Sequence, residues 1–375
     1  MAGFLLGAAG MFATMYSTQA ILPELGREFG ISPAEAGLSV SVVVLALAVG
    51  AWVWGPLSDR YGRRRAILLA SGLLVLPTIA TGLAPTFPVL LLFRALQGLC
   101  MPGLLTVGVP YVMEAFGPAV GGLAMGSYVA ALVAGGLLGR VGVALLSAAF
   151  GWRWAVGGIA VLPAAGMLVM RVALPSVPLA TRSESRRAGL RSQLRNPRLL
   201  QAIAVGSGLF FTFVGTFSYV VFRLERPPFG YGTATGSLVF LLWVTGVAGP
   251  FVGRLADRIG WRRVALVSLG FASTGLLMSI PSFLPTLVLG LACVTAAMFA
   301  GVTAAQLGVS ESTATDRGLA SALYFSLYYG AGALGGYLPG LAWQAWGWNG
   351  VALVGVGVLG AATLALLATM VASKG

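Results

Sequence analysis

Histidine is absent from the 375-residue chain, so no imidazole is available as metal ligand, general base or proton relay. Only two cysteines occur, Cys100 and Cys293, each inside an apolar run and far apart in sequence. That argues against a zinc site and a disulfide framework. Charge is equally scarce: 9% of residues are charged and 58% hydrophobic, whereas a soluble domain has about a quarter charged. The ten acids are outnumbered by 23 basic residues, for a net charge of +13. These basic residues sit in short clusters between apolar runs, which is the pattern of loops retained in the cytoplasm and not of a nucleic-acid surface. With a mean hydropathy of +0.92, the chain reads as an all-α, multi-pass membrane protein whose first partner is the lipid bilayer.

Apolar runs broken by proline, glycine or charge predict twelve spans, each near the 20 or so residues that a bilayer requires. The first six fall near 4–23, 37–57, 65–84, 88–111, 120–146 and 153–174. The second six fall near 199–222, 233–253, 264–284, 285–309, 318–341 and 348–371. The run from Phe4 is too long for the apolar core of a signal peptide and has no basic residue before it, so it reads as a first span. The long polar stretch 175–198 carries six arginines and divides the chain into bundles at 1–174 and 199–375. With both termini cytoplasmic, 17 basic residues lie inside and 4 outside; the opposite orientation inverts that bias.

The halves repeat. Residues 55–65 read G-P-L-S-D-R-Y-G-R-R-R and residues 253–263 read G-R-L-A-D-R-I-G-W-R-R. Glu114 matches Glu311, G-L-A at 122–124 matches G-L-A at 318–320, Gly135-Gly136 matches Gly335-Gly336, and F-G-W at 150–152 matches W-G-W at 346–348. Several anchors in order at nearly one offset indicate duplication of a six-span unit in the same orientation.

The repeated G-x-L-x-D-R-x-G loop resembles the signature loop of the major facilitator superfamily, with Trp261 in the second copy where the first has Arg63. The resemblance implies two parallel-repeat bundles of six helices, working as a monomer, that alternate access to a central site for a small-molecule substrate. It places Asp59, Arg60, Gly62 and Arg64, with Asp257 and Arg258, in a cytoplasmic gate. Part of the arginine content is a plain positive-inside anchor. Glu114 and Glu311 end spans 4 and 10 and can pair with the arginine clusters at 60–65 and 258–263. Arg317 opens span 11, and an Asp59–Arg317 latch is expected to be the stronger half of an asymmetric gate.

R-A-L-Q-G at 94–98 is similar to the family's R-x-x-Q-G motif. Arg94 lies about two turns into an apolar run, where a charge costs about 2.5–3.5 kcal/mol, so it is either a snorkelling arginine or a functional one facing a polar partner. Gln97 shares the motif. Span 1 has no acid at that depth, and Tyr16, Ser17 and Gln19 are the polar candidates, with Gln19 first as the partner of Arg94. Gly126, Gly135, Gly136 and Gly139 resemble the glycine motif of the family's proton antiporters, with Gly136 where proline is usual. The same glycines equally suit close helix packing. Arg140 follows, near the external end of the expected cavity. Phe210, Phe213 and Phe217 share one helical face, and family position favours Phe213 and Gln306 as lining, although core packing explains any single aromatic as well. Trp152, Trp154, Trp343, Trp346 and Trp348 read as interface anchors.

No cluster of histidine, cysteine or acid lies at membrane depth, so no enzyme, metal or cofactor is expected. The resemblance implies an exporter of drugs or metabolites in the bacterial inner membrane, driven by proton antiport. The rival is an uptake or facilitative carrier for sugars, amino acids or small organic anions.

Overall fold

A computed structural model describes residues 1–175, 190–313 and 317–372, with side chains at all of these but 113, 116–122, 247–250, 317 and 369–372. The linker arginines Arg182, Arg186 and Arg187 lie outside the described residues. Every described element is helical, with no strand among the described residues. The chain forms two compact units, one of Met1–Arg182 with Leu224–Leu241 and one of Ser183–Arg223 with Leu242–Gly375.

The first unit begins with α1 (Ala2–Tyr16), a 3-10 turn (Gln19–Ile21) and α2 (Leu22–Phe29), which Pro23 starts and the left-handed Gly30 ends. Helix α3 (Pro33–Tyr61) opens on a reciprocal cap, in which the Ser32 hydroxyl accepts from the Glu35 amide and Glu35 accepts from the Ser32 amide. Then follow α4 (Arg63–Gly82), α5 (Phe87–Cys100) and α6 (Pro102–Leu137). A five-residue π-helical segment (Leu138–Gly142) leads into α7 (Val143–Phe150), α8 (Trp152–Gly158) and α9 (Val161–Ala173). Helix α1 packs on α6 and α9, and α3 packs on α5.

After α10 (Leu190–Gln193), α11 (Pro197–Glu225) runs unbroken for 29 residues. The short α12 (Thr233–Gly236) is continued by a 3-10 helix (Ser237–Ala248), α13 (Gly249–Ile259) and α14 (Trp261–Met278). Last come α15 (Leu284–Ser312), packed along α14, and the 56-residue α16 (Arg317–Ala372).

Nine helices among the described residues are long and apolar enough to cross a membrane, or ten if the pair Thr233–Gly246 and Phe251–Ile259, bent by 51°, counts as one. Two features separate this from twelve. Helix α14 has 18 residues and begins Trp-Arg-Arg, which dilutes its apolar character. The last two expected spans form one apolar stretch of 51 residues, broken within by Gly347 at φ +59°. At 1.5 Å per residue such a stretch is roughly 75 Å long, more than twice a hydrocarbon core of about 30 Å.

Left-handed glycines punctuate both halves at matching places. Gly62 (φ +91°) and Gly260 (φ +87°) turn the two signature loops, and Gly151 (φ +84°) and Gly347 (φ +59°) turn the two aromatic-glycine-tryptophan corners. A side chain at such angles is strained, which is the physical reason glycine ends each signature motif.

Candidate functional site: an interrupted first span held by two buried arginines

The break after Tyr16 interrupts the regular ladder at the last carbonyls of α1, the negative end of the helix dipole. There the Thr14 carbonyl accepts from the Ser17 amide at 3.3 Å and the Ser17 hydroxyl at 2.9 Å and keeps room for a further donor. Arg94, from α5, is that donor and is wholly buried. Its Nη1 donates to the Thr14 carbonyl at 2.7 Å and its Nη2 to the Met15 carbonyl at 2.6 Å. Its Nε donates to the Ser39 carbonyl of α3 at 2.8 Å. Nη1 also donates to Gln97 Oε1 at 2.7 Å and, at 3.4 Å, to Ser17 Oγ. Gln97 in turn donates to Thr81 Oγ1 at 3.0 Å and to the Pro77 carbonyl at 3.3 Å, both on α4. The snorkelling reading fails because the guanidinium points into the unit. The expected Arg94–Gln19 pair is not formed: backbone carbonyls and Gln97 take its place.

Three letters of R-A-L-Q-G, the arginine, the glutamine and the glycine, thus have distinct duties. A Cβ on Gly98 would stand 2.3 Å from the Val43 carbonyl, so glycine there lets α5 lie against α3. The Trp54 indole, from α3, donates to the Leu99 carbonyl at 2.7 Å across the same contact. That approach brings Arg94 within reach of Ser39 and the end of α1. Ser39 further donates through its hydroxyl to Thr18 Oγ1 at 3.1 Å, inside the break.

Gln19 meets Arg140 instead. Arg140 is fully buried and sits on the π-helical segment; its Nε donates to Gln19 Oε1 at 2.7 Å and its Nη1 to the Gly136 carbonyl at 3.1 Å. Its guanidinium carbon lies 3.6 Å from the centre of the Tyr16 ring and 5.4 Å from that of Phe240, a cation–π arrangement. The glycines beside it are contact points. A Cβ on Gly135 would stand 2.1 Å from the Ala9 carbonyl oxygen, and one on Gly139 2.2 Å from that of Ala13. Gly126 has nothing within 4 Å. Where the family motif has proline, this helix has Gly136, and the irregularity appears two residues later as the π-helical segment.

At the first signature loop, Arg63 Nε donates to Glu114 at 2.6 Å. Arg64 turns elsewhere and caps α9, donating to the Leu174 and Arg171 carbonyls at 2.8 Å each. Asp59 and Arg60 are exposed, and Arg60 lies over the Tyr61 ring. At the second loop, Asp257 and Arg258 are exposed. The expected pairing of Glu311 with that cluster is absent among the described residues: Glu311 is exposed at the end of α15, and Arg262 donates to Gln201 at 3.0 Å. The side chain of Arg317, and so the Asp59–Arg317 latch, lies outside the described residues.

The aromatic face of α11 divides. Phe210 stacks on Tyr328 at 4.1 Å, whereas Phe213 meets Phe217 at 4.7 Å and Trp243 at 5.2 Å. Phe213 is buried among these rings, and Gln306 is exposed on α15. Trp154 and Trp346 are exposed, but Trp152, Trp343 and Trp348 are buried, and Trp348 donates to Ser279 at 3.0 Å. These three serve packing, not anchoring.

Sequence reasoning missed Ser39, Thr81 and three polar contacts of the first unit's acids. Arg27 pairs with Glu225, Arg153 with Glu28 at 2.9 Å, and Glu24 accepts from Ser147. Lone acids at span ends gave no spacing signal. Among the described residues no group of three or more acid or cysteine side chains could hold a metal ion.

The model of the Major Facilitator Superfamily matches residues 4–249. The chain is 31% identical over 358 residues to the uncharacterized MFS-type transporter YybF of Bacillus subtilis, covering 93% of this chain and 88% of that one. It is 32% identical over 353 residues to the inner membrane transport protein YnfM of Escherichia coli, covering 92% and 85%. Its fold matches, at a TM-score of 0.79 and 17% identity, a bacterial homologue of the human lysosomal transporter Spinster, over 100% of this chain and 96% of the other. Duplicated glycine-turned loops, a helical membrane-embedded chain and near full-length likeness to two transporters converge: the chain belongs to the major facilitator superfamily and is a multi-pass membrane transporter.

Proposed function

We propose that this transporter exports small organic molecules by alternating access, with protons moving the other way, as a monomer in the bacterial inner membrane. Twelve crossings with both termini cytoplasmic fit the 17-to-4 distribution of basic residues. The Escherichia coli relative, named an inner membrane transport protein, supports the location. One observation carries the reading: the glycine seam of α6 on α1 ends in a π-helical segment that lays Arg140 on Tyr16 and Gln19 of the interrupted span. At Gly135 and Gly139 the seam is backbone against backbone, so movement of this end of α6 on α1 meets no side chain of the two glycines and reaches Arg140 directly. The cargo moves the equilibrium only by its difference in affinity for the two states.

A reconstituted-vesicle screen with an internal pH dye, against drugs, sugars, amino acids and organic acids, tests this. Compound-dependent proton movement is the expected result; transport of a compound with no pH change refutes antiport. The second reading is an uptake or facilitative carrier of small organic anions. It is favoured by two wholly buried guanidinium groups, Arg94 and Arg140, in a chain with no acid deep in its apolar runs. Accumulation in inside-out against right-side-out vesicles separates the two.

A further inference from the structure

The interrupted first span poses a mechanical question that the transport reading leaves open: what keeps the break in one conformation. Residues 17–21 have left the α-helix, and Pro23 lies at the start of α2, so the segment lacks the regular ladder that would fix it. Side-chain contacts reach it from neighbouring elements. From α3 comes the Ser39 hydroxyl on Thr18, from the π-helical segment Arg140 on Gln19 and Tyr16, and from α5 Arg94 on the carbonyls of Thr14 and Met15. Arg94 also ties the segment to two further helices, through the Ser39 carbonyl to α3 and through Gln97 to α4.

We propose that Arg94 is a positioning residue, a pin that fixes the break in the first span so that Tyr16 and Gln19 hold Arg140 in place. The geometry suits a pin better than a cargo contact. Each of the three guanidinium nitrogens already donates to a carbonyl or amide oxygen at 2.6–2.8 Å, and the side chain has no exposed surface. Planarity matters as much as charge, because the acceptors on α1, α3 and Gln97 lie in different directions around one fork. A lysine offers a single nitrogen and cannot reach all of them. The consequence travels along α1: Tyr16 immediately follows the pinned Met15 carbonyl, and Gln19 is four residues from it.

The test needs no cargo and is therefore independent of direction and coupling. Full-length protein in lipid nanodiscs is followed by hydrogen–deuterium exchange over residues 14–22, and by phenylglyoxal modification of Arg140 mapped by mass spectrometry. In wild type the break exchanges slowly and Arg140 is unmodified. Arg94→Gln is expected to speed exchange there about tenfold or more and to expose Arg140 to the reagent. Arg94→Lys is expected to behave like Arg94→Gln and not to rescue. As a control, Arg153→Gln, which frees the Ala84 carbonyl elsewhere, leaves both readouts at wild type. Rescue by lysine, or a folded Arg94→Gln protein with unchanged exchange and an unreactive Arg140, overturns the proposal. Should neither variant fold, wild type decides: exchange at residues 17–22 as slow as in α1 upholds the pin, and exchange as fast as at the exposed Ser282 between α14 and α15 refutes it.

Discussion

The seam between α1 and α6 gives the sharpest quantitative expectation. At Gly135 an added Cβ would stand 2.1 Å from the Ala9 carbonyl oxygen and 2.6 Å from the Ala9 Cα; at Gly139 the figures against Ala13 are 2.2 and 2.7 Å. These obstacles are backbone, so no rotamer change relieves them. The helices must part by about 1 Å before contact becomes ordinary, and overpacking of this kind costs about 1–3 kcal/mol. Against that stands the better helix propensity of alanine, worth about 0.8–1 kcal/mol. Gly126, with nothing within 4 Å, receives the propensity gain and none of the cost. Gly135→Ala and Gly139→Ala should each lower the apparent unfolding midpoint in detergent by a few degrees, at about 2–4 °C per kcal/mol for a unit of this size. Gly126→Ala should leave it unchanged or raise it. Separation of the seam also loosens the 3.6 Å stack of Arg140 on Tyr16, so transport should fall in the first two variants only. Coincident melting curves for all three proteins would refute the assignment of these glycines to a tight seam.

Other expectations follow from single contacts. Gly62→Ala and Gly260→Ala place a Cβ on backbone with ψ near 140° and φ of +91° and +87°, a region open essentially to glycine alone, and each should cost about 1–3 kcal/mol in denaturant unfolding. Gln19→Leu removes an acceptor from a buried guanidinium, and a loss of about 1.5–3 kcal/mol is expected; a change below 0.5 kcal/mol would show that the Arg140 contact contributes little. Glu114→Gln breaks only a partly exposed pair with Arg63, so stability should change by less than about 1 kcal/mol. Asp59→Asn should impair transport in vesicles while insertion stays normal, and undiminished transport would remove Asp59 from the gate.

What the sequence made legible was periodic or repeated. Apolar runs located the helices, and the duplicated loops located Gly62 and Gly260, because a forced backbone angle demands the same residue each time. The glycine spacing pointed to α6, although it could not tell packing from motion; the structure places Gly135 and Gly139 on α1 and leaves Gly126 open. The partner of Arg94 was not legible, since it is mostly backbone. A main-chain carbonyl loses its regular helical donor only where a helix ends or breaks, and the sequence around Ser17 carries no breaker until Pro23. Gln19 meets Arg140 and not Arg94, because the chain turns between Met15 and Gln19 and carries the side chain to an arginine 121 positions away. The spacing that puts Phe210, Phe213 and Phe217 on one face does not say what that face meets: Phe210 contacts α16, while Phe213 meets Phe217 and Trp243.

The duplication kept the seams and changed the interiors. In the second half Gly335 approaches the Phe211 carbonyl of α11, as Gly135 approaches Ala9 of α1. Yet α11 is continuous over 29 residues and leaves no mid-span carbonyls to satisfy. At the offset of the signature loops, the positions corresponding to Arg94 and Gln97 are Ala292 and Thr295, and Thr295 merely donates to the carbonyl four residues back, Leu291. A buried guanidinium without exposed carbonyls beside it would have been costly there. The break and the arginine therefore belong together: either alone is destabilising, and the pair is tolerated in lipid because each satisfies the other. This coupling predicts the outcome of transplanting them. Ala292 is half-buried on α15, and Ala292→Arg should destabilise the second unit, seen as reduced yield of folded protein from membranes. Were that variant to fold and melt like wild type, burial of an arginine in this fold would need no broken helix, and the structural reason given for Arg94 would fail.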